Sequence, residues 1–485
     1  MDQRPSEAEV EEESPAEKPN SKAKRFDRSI VEGPLTSAVW KIAWPAVFTN
    51  IISGVQGWVD HIMVGHLLGY KANAAIGVSF QIFLVVIVFV SSIFIGMSVL
   101  VARFTGAGDH EKVNRTVYQG FLTCFFMAIG ILAPIGYFAA PHLLGFVTHD
   151  ATVIEDALPF LRIMFTCSFG MLIYFMLSGA LRSAGDAKTP MVLGIVMTVL
   201  NLILNIIFIR GLGPIPSFGA AGSAIGTCIA SGAVGLFSLY KLYAGSWVVG
   251  FPKSGFAPDW GIIRELFRFG LPAGFQGVAM NIGGVLMLTF MGSVTNGAAA
   301  QAAFAVGYGQ LFLLVTWSSN ALMGAAGAVV GQNIGAGYPD RAARSVRIAS
   351  RFGLIGAALV GFVFMFFPSA MLAIFGLTDP VVVEVGTTLL RVLSISGLFI
   401  TTALSYTGGL QGAGDTKSPL YISIISQVVV PLSICFVIRE TSTLEPIHIW
   451  LAVLAGHAIR SILSVVRFNQ GKWRAIKVNI GDQPA

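Results

Sequence analysis

The chain has 485 residues, of which 54% are apolar and only 12% charged, with a formal net charge of +6 and a mean hydropathy of +0.74. Soluble domains carry about 25% charged residues, so these values exclude an ordinary cytosolic enzyme, a disulfide-stapled secreted module and a disordered scaffold. The 55 glycines and 36 phenylalanines suit helices packed against one another in lipid.

Residues 1–28 hold eight acids and six bases and few apolar side chains. Such a segment buries too little surface to offset its ordering entropy, and is read as a disordered tail. Its acidic start is unlike a cleaved signal peptide, so the first transmembrane helix is expected to act as the targeting signal. From Thr36 onward, apolar runs of the roughly 20 residues that span a bilayer recur with short polar breaks. Twelve are expected, near 37–63, 76–103, 116–140, 153–181, 189–210, 218–242, 266–292, 299–333, 345–368, 382–411, 419–438 and 446–468.

Lys and Arg concentrate on the cytoplasmic side of membrane proteins. With the N-terminus inside, all but five of the 31 basic residues fall in cytoplasmic segments or helix ends. The five are Lys71, Arg162, Arg210, Arg391 and Arg439. Both termini are therefore expected in the cytoplasm of a multi-pass protein of the plasma (inner) membrane. The four cysteines lie in the apolar runs without metal-ligand spacing and read as small core residues.

The sequence is written twice. GALRSAGDAKTP at 179–190 and GGLQGAGDTKSP at 408–419 are identical at seven of twelve positions, at an offset of 229. The same offset pairs Gly106 with Gly335, Arg115 with Arg344, Asp150 with Asp379 and Arg162 with Arg391. Near the start of each half it slips by two and pairs Pro45 with Pro272. Six crossings per half make the repeat parallel, with an axis along the membrane normal and a cavity between halves. The expected fold is an all-α integral membrane protein of two pseudo-symmetric six-helix bundles. Its segments are a tail (1–28), an N-lobe (29–245), an inter-lobe loop (246–262), a C-lobe (263–470) and a C-terminal tail (471–485). The doubled loop motifs, Gly185, Asp186, Lys188, Pro190 and Gly414, Asp415, Lys417, Pro419, read as turn and cap elements, with closure of a cytoplasmic gate as a second reading.

Of 25 acids, only Asp60 falls inside an apolar run. A charge at the bilayer centre costs about 2.5–3.5 kcal/mol on insertion scales and is a functional hypothesis by default. Ser53, Gln56 and Asp60 form one polar stripe at helical spacing. Asp60 has no acidic counterpart in the second half, where Met287 or Thr289 aligns. Asn201 and Asn205 align with Val430 and Ile434, and Thr227 with Gly456. The asymmetry suggests one ion site, for a proton or a small hard cation such as Na⁺. The amides could equally be interhelical hydrogen-bond glue.

WPAVFTNIISGVQGWVDHIMVG (44–65), with Pro45 fifteen residues before Asp60, resembles the first helix of the multidrug and toxic compound extrusion (MATE) transporters. The doubled loop motif and VLNLILNIIF (199–208) resemble the family's repeated loop and fifth helix, and the likeness covers about residues 30–470. It implies an antiporter that exports organic, often cationic and drug-like, compounds in exchange for H⁺ or Na⁺. It also implies Asp60 as the coupling carboxylate, Asn201, Asn205 and Thr227 as its partners, and Pro45 as a point of helix bending. Two departures stand out. Met280 and Ile400 occupy places where some relatives carry acids, which argues against coupling in the C-lobe. Asn205 replaces a second acid on the fifth helix, which leaves one negative charge and favours protons over Na⁺.

Asn50, Gln56, Gln276 and Asn281 are candidate anchors for the solute. The expected partners are a small organic substrate and membrane lipid, with no nucleic acid, metal or organic cofactor, and the chain is expected to be a monomer. The alternative is a flippase for a lipid-linked oligosaccharide or peptidoglycan precursor, for which His457 and Arg460 speak. An enzyme is not expected, since the histidines are scattered without a catalytic pattern.

Overall fold

A computed structural model of the chain describes residues 26–68, 70–147, 151–294, 296–441 and 443–478. Between 58 and 74 the side chains described are those of Val59, Met63 and Leu67, and residues 151 and 152 are described by backbone alone. The tail expected at 1–28 lies outside the described residues up to position 25.

The spans expected from hydropathy are helices. In the N-lobe these are α1 (Leu35–Leu68), α2 (Ala75–Ala107), α3 (His110–Val147), α4, α5 (Lys188–Arg210) and α6 (Gly219–Tyr243). In the C-lobe they are α7 (Trp260–Gly292), α8 (Gly297–Gly335), α9 (Pro339–Phe366), α10 (Pro380–Gly412), α11 (Lys417–Thr441) and α12 (Pro446–Asn469). Pro45 and Pro272 sit at matching places inside α1 and α7, and neither ends its helix.

The helices differ from uniform spans in two ways. Helix α4 is two segments, Val153–Thr166 and Phe169–Ser183, bent by 50°. At the break, the Thr166 and Ser168 hydroxyls donate to the Arg162 and Phe165 carbonyls at 2.8 and 2.9 Å and so take up carbonyls of the preceding turn. Secondly, π-helical turns interrupt α3 at Met127–Leu132 and Ile135–Ala139, α8 at Gly307–Leu311 and α11 at Ile425–Val429. Two of these turns have a proline just beyond them. Pro134 and Pro431 lack the N–H that would bond the Gly130 and Gln427 carbonyls. The ladder reaches back five residues instead, from Ala133 N–H to Ala128 O and from Val430 N–H to Ile425 O.

Each lobe has its own apolar core, around Phe83, Met97 and Phe165 in the N-lobe and around Phe312, Phe364 and Trp450 in the C-lobe. Between them, Ile42 and Ala43 of α1 pack on Ala325, Ala326 and Val329 of α8, where small side chains let helices approach closely. Large apolar residues such as Phe138, Leu236 and Leu359 cover the outside, as lipid-facing surfaces require. The inter-lobe segment is pinned to α3, with Asp259 paired to Arg115 at 2.9 Å and the Gln119 amide donating to the Ala257 carbonyl at 3.0 Å.

The described residues flanking the twelve helices pack against them. Phe26 stacks on His110 and Asp27 pairs with Lys41, followed by a short helix at Ser29–Glu32. Beyond α12, Trp473 is buried against Phe468 and donates its indole N–H to the Phe468 carbonyl at 2.8 Å. Of the cysteines, Cys124 and Cys435 are buried as expected, whereas Cys167 is exposed beside the bend in α4.

Candidate functional site

Three helices of the N-lobe bring its polar groups into one network. On α5, Asn201 and Asn205 are four residues apart and therefore share a face, and both are buried. The Thr198 hydroxyl donates to Gln56 Oε1 at 2.7 Å, and Gln56 Nε2 donates to Asn201 Oδ1 at 2.7 Å. Asn205 Nδ2 reaches the same Asn201 oxygen at 3.2 Å. Asn201 Nδ2 donates to Thr227 Oγ1 on α6 at 2.9 Å, and that hydroxyl donates to the Ser223 carbonyl at 2.9 Å. Low local dielectric makes such a chain of bonds stiff and costly to interrupt.

Beside the network lies a cavity of about 280 Å³, whose lining includes the polar Ser53, Gln56, Asn201 and Thr227 and the apolar or aromatic Phe80, Met164, Met171, Tyr174, Phe175 and Met197. Methionines and aromatic rings make an adaptable apolar wall. Asp60 follows Gln56 by four residues in the same unbroken helix, and its side chain lies outside the described residues.

The structure thus unites Asn201, Asn205 and Thr227 and adds Gln56 to them. Thr198, which the sequence did not single out, is a member because it stands one helical turn before the amide pair. Pro45 lies in α1, and its carbonyl accepts from the Thr49 hydroxyl at 2.7 Å. The other solute anchors are dispersed. Asn50 bonds across the lobes to the Trp317 carbonyl at 3.0 Å, and Asn281 bonds back to Gly277 in its own helix at 2.9 Å. Gln276 is buried in the C-lobe and donates to Ser423 Oγ at 2.8 Å.

In the C-lobe Val430, Ile434 and Gly456 replace Asn201, Asn205 and Thr227, and Met287, where Asp60 aligns, is buried 3.9 Å from Cys435. Polar groups of the C-lobe line a cavity at the corresponding place, again of about 280 Å³, which opens between the lobes and is bordered by Gln276, Tyr308, Gln427, His457 and Arg460. The sequence reading counted Arg460 among the basic residues of the cytoplasmic end. The structure corrects this: Arg460 is 2% exposed and stands within α12, well short of its end at Asn469. The flippase alternative already singles out Arg460 with His457 as a cavity residue, and a charge inside an apolar run invites that reasoning. Arg182, at the end of α4, lines the adjoining cavities as well.

The lobes meet most closely where α2 packs on α8. A Cβ on Gly106 would lie 1.9 Å from the Gln332 carbonyl oxygen, and one on Gly335 2.0 Å from the Arg103 carbonyl oxygen. Positions 103 and 106 are the repeat partners of 332 and 335, so the contact is reciprocal about the pseudo-two-fold axis. The side chains repeat the pattern. Arg103 Nη2 donates to the Ala413 carbonyl at 2.6 Å, and Gln332 Nε2 to the Ser183 carbonyl at 2.7 Å.

Each side chain thereby holds the doubled loop motif of the opposite lobe. In these motifs Gly185 and Gly414 take φ of +96° and +89°, a left-handed turn that glycine alone adopts at little cost. The following Asp186 and Asp415 accept from the N–H and hydroxyl of Thr189 and Ser418, which caps α5 and α11. Pro190 and Pro419 are buried in the first turns of those helices, and Lys188 and Lys417 are exposed.

Two six-helix lobes related by an internal repeat, a cavity in each and a seal at one end make the architecture of a membrane transporter. A sequence model of the MatE family matches residues 45–207 and 272–437, one stretch in each lobe. The chain belongs to this family, that of the multidrug and toxic compound extrusion transporters, and is a multi-pass transporter rather than an enzyme. It is 26% identical over 439 residues to a probable multidrug resistance protein NorM of Thermotoga maritima, covering 89% of this chain and 92% of that relative. It is 27% identical over 434 residues to a probable multidrug resistance protein YoeA of Bacillus subtilis, covering 89% and 92%. Its fold matches a solved outward-facing conformation of a multidrug resistance MATE family transporter with a TM-score of 0.86 at 20% identity, covering 93% of this chain and 100% of the other.

Proposed function

We propose that the chain is a secondary active exporter of amphipathic organic compounds in the plasma membrane, driven by H⁺ or Na⁺ acting in the N-lobe. The observation that supports it most is the network of Gln56, Thr198, Asn201, Asn205 and Thr227, whose Asn201, Asn205 and Thr227 give way to Val430, Ile434 and Gly456 in the other lobe. Its helix α1 also carries Asp60, the acid inside the apolar runs. The names of the relatives support drug-like cargo, and they do not favour the flippase.

With the basic loops in the cytoplasm, the sealed end is the cytoplasmic one and the arrangement faces outward. In this state an ion enters from outside and neutralises Asp60, α1 shifts about its Pro45 turn, and the solute leaves. The seal of Gly106 and Gly335 then opens for the next solute. Exchange requires that ion and solute favour different states, because a ligand that binds both states equally shifts nothing.

The test uses proteoliposomes under an imposed proton gradient or Na⁺ gradient, each alone. Asp60→Asn is expected to abolish gradient-driven efflux while leaving the protein folded. Driven efflux at the wild-type rate in that variant overturns the coupling reading.

A further inference from the structure

The C-lobe cavity contains a cation without an anion. Arg460 is buried, and none of the ion pairs among the described residues involves it. Among the described residues its Nε has no hydrogen-bond partner, and neither does Nδ1 of buried His457 or Nε2 of Gln427. All three residues line one cavity. A buried guanidinium without a counter-charge loses its hydration and gains nothing in return. Such an arrangement persists where function requires it.

We propose that this cavity binds the carboxylate of an amphipathic organic anion or zwitterion, with Arg460 as the counter-charge. The proposal rests on the reading of the chain as an exporter of organic compounds and names the class of its cargo. The guanidinium fork matches a carboxylate in two parallel bonds, and His457 and Gln427 stand beside it with free polar atoms. The rest of the pocket suits a flat apolar body. Tyr308 lies nearly parallel to His457, with ring centroids 6.4 Å apart and planes 9° apart. Tyr308 in turn stacks on Phe304 at 4.8 Å and 6°. Met280, Ile400 and Leu404 form the apolar wall.

Local backbone geometry points the same way. Tyr308 and Gln427 both sit in the π-helical turns of α8 and α11, and such turns recur at functional sites. Around the two lobe cavities and the two that join them, the charged lining side chains among the described residues are Arg182 and Arg460, and none is acidic. The volume of about 280 Å³ is near the lower end for small-molecule sites.

The N-lobe gives the contrast. The repeat partner of Arg460 is Ser231, which lines the N-lobe cavity, and that of Arg182 is Gln411. Duplication did not bring these cations, since each half carries one that the other lacks.

The test is binding to the purified full chain in detergent without any gradient, with three probes on one aromatic body: naphthalene carboxylate, its methyl ester and naphthylmethylammonium. The carboxylate is expected to bind about thirtyfold or more tighter than the ester, as a desolvated charge pair should, and the ammonium weakest. Arg460→Gln should remove the preference, and Arg460→Lys should keep part of it. Arg460→Met should raise the melting temperature of the free protein while losing the carboxylate, because it removes an unpaired buried charge. Absence of charge discrimination overturns the proposal, as does discrimination that survives Arg460→Gln. A fall in melting temperature with both Gln and Met marks Arg460 as structural and also overturns it. Chloride competing as well as acetate, with no gain from the naphthalene body, marks a plain ion site and overturns it too. Because no gradient is applied, carboxylate binding without driven efflux would count against the exporter reading alone.

Discussion

The two lobes share a fold and a repeated sequence, yet their interiors have opposite chemistry. The N-lobe joins α1, α5 and α6 through amides and hydroxyls that satisfy one another. In the C-lobe Val430, Ile434 and Gly456 stand where Asn201, Asn205 and Thr227 do, and around the corresponding cavity Arg460 Nε, His457 Nδ1 and Gln427 Nε2 are unpaired among the described residues. Duplicated architecture therefore fixes where helices cross and where the lobes touch, while single substitutions decide what each lobe can hold. A satisfied network is suited to respond to a small ion. An unsatisfied cation is suited to wait for a ligand.

The comparison can be broken most severely by making the N-lobe resemble the C-lobe. Asn201→Val combined with Asn205→Ile removes the Asn201 oxygen that accepts from Gln56 Nε2 and the amide that donates to Thr227, at about 1–3 kcal/mol for each group left unpaired. Driven efflux in proteoliposomes should fall to background while the chain still inserts. Retained efflux would mean that the network is interhelical glue.

A smaller effect tests whether the lobes are equal where they touch. Gly106→Ala and Gly335→Ala each place a methyl group against a carbonyl of the other lobe, an overpacking of about 1–3 kcal/mol. Both should weaken the seal to a similar extent. The readout is thiol labelling of Ser98→Cys from the cytoplasmic face in a background without the native cysteines, which should speed up in both variants. Unequal effects would show that the reciprocal contact is not shared evenly.

The smallest effect distinguishes the two loop motifs. Asp186 is a cap, whereas Asp415 also accepts from Arg467 Nη2 at 2.8 Å, with the Asp415 side chain 6% exposed and that of Arg467 27%. Asp186→Ala should cost about 1 kcal/mol as a lost cap. Asp415→Ala should cost about 3 kcal/mol, since it also strands a partly buried guanidinium. Melting temperatures of the two variants give the order, and equal shifts would remove the distinction.

Much of this was legible in the sequence, because a bilayer imposes a length and a polarity that hydropathy reads directly. The spans, the repeat and the Asn201, Asn205, Thr227 cluster follow from that rule. The bend in α4 and the π-helical turns did not emerge, since a serine hydroxyl or a proline changes a helix locally without changing its hydropathy. Arg460 reads in two ways, as a cytoplasmic base in the count by side and as a cavity residue in the flippase alternative. Counting bases by side of the membrane assigns every Arg to a surface, and so conceals one that is buried. Asn50 and Asn281 show the converse, as amides inside helices that bond to backbone carbonyls, one across the lobes and one in its own helix.

The seal between α2 and α8 has an evolutionary meaning. Repeat-equivalent residues touch each other across its axis, so it has the form of a homodimer interface retained within one polypeptide. A dimer of identical halves would have presented the same side chain twice at that place. Here one half presents Arg103 and the other Gln332, each holding the loop of its sister. Fusion has freed the halves to become unlike partners, and the junction now identifies which half is which.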